Sequence, residues 1–180
     1  LTPRIIRAKD SHVVVSYQGF LWRVMTYVEG VCYDKVASPE IANEAGRIAG
    51  LFHRTLADWN YNFKFVNNNW HNTPQYINRL RSIYVGSQET KKQAALAPVI
   101  DEIISMYNEL MPLPSEFLYT IHGDLKINNI RFSADGQALC LLDLDGVQRG
   151  SILAEMGDAV RSWCNTKDSA SEDSEIDLAL

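Results

Sequence analysis

Between Ile121 and Gly146 the chain reads IHGDLKINNIRFSADGQALCLLDLDG, and no other stretch restricts the fold as strongly. His122, Asp124 and Asn129 make the pattern HxDxxxxN, and a second acidic cluster follows at Asp143 and Asp145. An apolar run from Leu118 to Ile121 delivers His122, and Ser133 to Gly136 supply turn residues between two apolar runs. That arrangement predicts a strand, a tight polar loop and a hairpin that brings Asp143 back beside the loop.

Carboxylates and one amide in this order suit phosphoryl transfer. The reaction asks little covalent chemistry of a protein but needs negative charge neutralised and an acceptor hydroxyl aimed in line. Asp124 is placed to accept the hydroxyl proton, while Asn129 and Asp143 are placed to ligate a magnesium ion that bridges phosphates. His122 is expected to pack under the loop and hydrogen-bond its backbone. Lys126 either offsets phosphate charge or is a solvated lysine. Asp145 is a further metal or substrate contact, or a turn residue before Gly146. Asp158, in MGDAVR, is expected at the start of a helix, as a cap or as the group that holds the catalytic loop through backbone amides.

The remaining sequence narrows the class. With 180 residues the chain is long enough for one domain with a real core, and its 46% hydrophobic and 22% charged content is that of a globular protein. A net charge of -5 argues against a protein that coats nucleic-acid backbones. Cys32, Cys140 and Cys164 form no CxxC pair, so neither a zinc site nor a disulfide framework is indicated, and a reducing cytoplasm fits. No apolar run of membrane-spanning length and no leader-like segment is present.

Along the chain, His12–Tyr17 and Phe20–Val28 flank Gln18 and Gly19 as a β-hairpin, and a loop leads to Ala37. Phe20, Trp22 and Tyr27 are expected as core or lobe contacts. Ser38 and Pro39 open a helix with Ile41, Ala45, Ile48, Phe52, Leu56 and Trp59 on one face. His53, beside that face, is taken as a packing or surface residue. The Asn-rich segment Asn60–Thr73 is expected to be an irregular loop, with Trp70 and His71 as sugar-stacking residues or simple anchors. Helices should follow from Thr73 to about Tyr84 and from near Glu89 to Leu110, the second kinked or split at Pro98. Residues 151–164 are expected as a loop and then a helix, with Arg161 and Asn165 as candidates to approach the acceptor. The acidic, serine-rich tail is expected to connect to a last helix.

At these motifs the chain resembles the aminoglycoside phosphotransferase family, a small-molecule branch of the protein-kinase-like fold. More narrowly, DLKINNIRF, ALCLLDLDGV, GDAVRSWCNT, WRVMTYVEG and AGRIAGLFHRTLADW are similar to the N-acetylhexosamine 1-kinase group, although Gly146 stands where a threonine is common there. The resemblance implies an α+β fold: a kinase-like large lobe, mostly helical with short hairpins, over residues 31–180, and the last strands of a small lobe with the hinge over 1–30. It implies ATP as co-substrate and Mg2+ as cofactor, with the hinge backbone of Met25, Thr26, Tyr27 and Val28 meeting adenine. It also implies a small-molecule acceptor such as a sugar, with neither nucleic acid nor membrane as partner. A phosphate loop, a strand lysine and its helix glutamate do not precede the hinge, and the chain begins at Leu1 on a strand-like pattern. The expectation is therefore a piece of a longer kinase, inactive alone. Two other readings stay open: a non-catalytic kinase-like binding module, and a metal-dependent hydrolase, against which the lack of clustered histidines speaks.

Overall fold

The computed structural model describes residues 2–67, 69–86, 91–114, 117–167 and 176. They form two compact units, Leu1–Lys64 with Phe117–Leu180, and Phe65–Glu116. Residues 1–30 belong to the first unit together with residues 117–180.

The first unit opens with short, exposed strands. β1 (Ile5–Ile6) pairs antiparallel with β4 (Val24–Met25), and β2 (Val15–Tyr17) pairs with β3 (Phe20–Trp22). The β2–β3 turn is Gln18-Gly19, with φ of 51° and 78°, a left-handed pair that matches the twist of the flanking strands. The hairpin is shorter than its apolar runs suggest, and Phe20, Trp22 and Tyr27 are exposed rather than core. Strands of two or three residues cover little of their own surface, so β propensity alone buries nothing here.

Helix α1 (Pro39–Thr55) begins as its sequence dictates: the Ser38 hydroxyl accepts the Ile41 N–H, and Pro39 occupies the first turn. Its buried face is Ile41, Ala45, Ile48, Ala49 and Phe52. The helix stops before Trp59, which instead stacks on Tyr61 with ring centroids 5.1 Å apart.

Strand β5 (Leu118–Ile121) pairs with β8 (Gln148–Ser151), and β6 (Ile130–Phe132) pairs with β7 (Ala138–Leu141). The β6–β7 turn is the expected one: Gly136 N–H donates to Ser133 O and Ser133 N–H to Gln137 O. Strand β8 was hidden in sequence because QRGS has no apolar alternation. Helix α4 (Ile152–Trp163) follows, capped by Ser151, whose hydroxyl accepts the Ala154 N–H. The core joins α1, the β6–β7 hairpin and α4 through Ile48, Phe52, Leu125, Ile127, Ile130, Phe132, Leu141 and Trp163.

The second unit holds α2 (Thr73–Gly86) and α3 (Lys91–Glu109), which pack on each other. Arg81 donates to Asn108 at 2.6 Å across the pair. Pro98 lies inside α3, yet the helix is not split; one missing N–H leaves the other backbone bonds to carry the segment. The helix expected in the tail lies outside the described residues. Among the described residues no helix is long and apolar enough to cross a membrane.

Candidate active site

The loop after β5 takes its shape from alternate anchoring. Leu125 and Ile127 are each 1% exposed and sit in the core, which turns Asp124 and Lys126 the other way. Trp163 Nε1 donates to Leu125 O at 2.9 Å and locks the loop to α4. Ile127–Asn129 then form a single 3-10 turn that leads into β6.

Asp124, Lys126 and Asn129 come together on that loop. Lys126 Nζ lies 2.8 Å from Asp124 Oδ1 and 3.1 Å from Oδ2. Asn129 Nδ2 donates to the main-chain oxygen of Asp124 at 2.8 Å and to Oδ2 at 3.2 Å. The Asp124 side chain is 19% exposed, so the carboxylate is held but still reachable from solvent.

His122 is fully buried, with Nε2 2.8 Å from Leu142 O, and Nδ1 accepts the Asp124 N–H at 3.3 Å. The second acidic cluster is fastened to the same loop. Leu142 N–H donates to Asn129 O at 2.8 Å, so both backbone groups of Leu142 face the HxDxxxxN loop and Asp143 is the next residue. Asp143 is exposed and has φ of 55°, a left-handed conformation that favours Asn and Asp among side-chain-bearing residues.

These donors fit magnesium in kind. With both Nδ2 bonds of Asn129 directed at Asp124, its amide oxygen remains for another ligand, and Asp143 offers an exposed carboxylate. Hard oxygen donors in such small number are how Mg2+ is usually held, the rest coming from phosphate and water. Among the described residues no three His, Cys, Asp or Glu side chains gather as an all-protein metal nest.

One placement differs from the sequence reading. Asp158 is not at a helix start: it lies in the middle of α4, and its carboxylate takes Arg161 Nε and Nη2 at 3.0 and 2.7 Å, which also turns Arg161 to its own helix. The group that holds the loop amide is Glu155, 1% exposed, whose Oε2 accepts the Gly123 N–H at 2.7 Å. Glu155 shares an i, i+4, i+8 stripe with buried Ala159 and Trp163, and that stripe was the available signal. Asp145 carries a bidentate pair with Arg23 at 2.6 and 2.7 Å, joining the segment before β4 to the second acidic loop. Asp145, first by its hydrogen bonds and then by its charge, holds the Arg23 guanidinium above its ordinary value.

The residues expected as the hinge, 25–28, lie along and after β4. Met25 pairs with Ile5, and Thr26 N–H donates to Arg4 O at 2.8 Å. Tyr27 is exposed and its ring faces the Arg131 guanidinium at 5.5 Å, while Val28 is half-buried. Arg131 Nη1 also donates to Gly30 O, and Val31 pairs with Phe132, so the segment after Val28 rests on β6.

A mixed α+β fold that presents a carboxylate, an ammonium and an amide on one buried-His loop fits the kinase-like class of phosphotransferases. Residues 2–176 match the model of the Phosphotransferase enzyme family, and with nearly the whole chain matched the protein belongs to that family. It is accordingly a phosphotransferase.

Proposed function

We propose that the protein transfers the γ-phosphoryl group of ATP to a hydroxyl of a small molecule, a sugar such as an N-acetylhexosamine. The observation that carries this reading is the Asp124 carboxylate held between Lys126 and Asn129, on a loop to which the neighbour of Asp143 is bonded. Asp124 accepts the proton of the attacking hydroxyl, whose oxygen then bonds to phosphorus as the bond to ADP breaks. Lys126 leaves the carboxylate for the phosphoryl oxygens and offsets their charge as it builds. Asn129 and Asp143 hold Mg2+, which when bound neutralises phosphate charge. The backbone of Met25, Thr26, Tyr27 and Val28 meets the adenine edge. The choice of a sugar is supported by the narrower resemblance of DLKINNIRF and GDAVRSWCNT.

Run on the full-length protein, the test is ADP release in the presence of Mg2+ and ATP across a panel of hexosamines, other sugars, aminoglycosides and amino alcohols, with the product weighed by mass spectrometry. A hexosamine that gains one phosphate supports the reading. Phosphorylation of an aminoglycoside alone overturns the acceptor, and no acceptor-dependent ADP release overturns the transfer.

A further inference from the structure

We infer that His53 is a positioning residue of this site: acting through Glu155, it fixes the Gly123 peptide and with it the direction in which Asp124 presents its carboxylate. The inference rests on the phosphoryl-transfer reading for its kinetic consequence and on geometry alone for the coupling. His53 Nε2 lies 2.7 Å from Glu155 Oε1, with side chains 11% and 1% exposed. The approach is off the line of an aligned hydrogen bond, and the close contact is an ion pair when the imidazole is protonated. The other oxygen of the same carboxylate receives the Gly123 N–H at 2.7 Å.

Three elements thus meet at one buried carboxylate. His53 comes from the last turn of α1, Glu155 from α4, and Gly123 from the loop between His122 and Asp124. Among the described residues His53 is the basic group within ion-pair distance of Glu155. A carboxylate this deep is costly unless paired, and removing one partner of a buried pair leaves the other uncompensated. Without His53 the carboxylate turns toward water and releases Gly123. That peptide has no slack to absorb the change: Gly123 has φ of +87° and stands against the Gly146 backbone. The Phe52 ring is edge-on to both His53 and His122, at 5.5 and 6.0 Å, so the pair is built into the packing under the loop.

The experiment compares His53→Ala and His53→Gln in the whole protein by amide hydrogen exchange and steady-state kinetics. In His53→Ala, exchange at Gly123 should rise about tenfold or more, the scale of a lost charge-assisted hydrogen bond, while Ile130 and Phe132 stay within about twofold. Turnover should fall by a comparable factor with the KM for ATP little changed. His53→Gln, which keeps a donor toward Glu155, should recover most of both. In a Glu155→Gln background, His53→Ala should add nothing at Gly123. Unchanged exchange at Gly123, or an equal rise at Phe132, overturns the inference. Accelerated exchange at Gly123 in a protein that transfers no phosphate upholds the coupling and overturns the functional reading instead.

Discussion

Gly123 and Gly146 meet backbone to backbone: a Cβ on Gly123 would fall 2.5 Å from Gly146 O, and one on Gly146 would fall 2.8 Å from His122 O. The two halves of the motif, HGD and DLDG, are therefore packed main chain to main chain in this protein, with no room for a Cβ on either glycine as the backbone stands. This contact explains why a side chain is missing at both positions, and it makes the loop geometry vulnerable at a single atom.

Gly123→Ala should destabilise the protein by about 2 kcal/mol or more, combining the cost of positive φ for a side-chain-bearing residue with a clash against main chain that cannot move freely. Gly136→Ala is the control. It too has positive φ, but its Cβ would meet only the tip of Ile41 at 3.2 Å, so about 1 kcal/mol is expected. Urea denaturation of both variants reads the difference, and equal losses would contradict the contact's role.

Asn129→Ala removes the two bonds to Asp124 and, on the proposed reading, one magnesium ligand. The magnesium concentration for half-maximal transfer should rise about tenfold or more. Asn129→Asp keeps an oxygen for the metal but replaces the donor to Asp124 with a like charge, so its turnover should fall further than its magnesium response. Titration curves that overlay the unaltered protein's would reject Asn129 as a ligand.

Glu44 on α1 accepts the Ala138 N–H of β7 at 2.9 Å and pairs with Arg47 at 2.7 Å. Arg47 first, and then the Ala138 amide, hold its carboxyl below the usual 4.5. Its ionised form therefore stabilises the fold above the unfolded carboxyl's pKa, and that contribution disappears as pH falls through the depressed folded value. Because Glu44 is 23% and Arg47 47% exposed, solvent screens the pair, and Glu44→Gln should cost under about 1 kcal/mol at pH 7. Melting temperatures should converge as the pH drops below about 4. A gap that stays constant from pH 7 to pH 3 would contradict the assignment.

What could be read from the sequence was local. Ser38 and Pro39 set the start of α1, Ser133 to Gly136 set the β6–β7 turn, and the HxDxxxxN spacing set the loop, because each depends on neighbours within a few residues. What could not be read depends on distant partners. β1 finds β4 some twenty residues away, and Arg23 finds Asp145 at a separation of 122. The choice between Asp158 and Glu155 shows the limit most sharply. Both are acids on α4 three residues apart, and only the face that α4 turns to the core with Ala159 and Trp163 decides which one reaches Gly123. His53 was likewise ambiguous, since its partner arrives from the far end of the chain.

The central claim is that Asp124 is the base. Asp124→Asn preserves the side chain's size and keeps one acceptor oxygen for Lys126 or Asn129, but it cannot take a proton. Initial rates of acceptor-dependent ADP release, measured beside a thermal melt for each protein, should show turnover lower by about 10² to 10⁴ with the melting temperature little changed. Turnover equal to that of the unaltered protein would contradict the account.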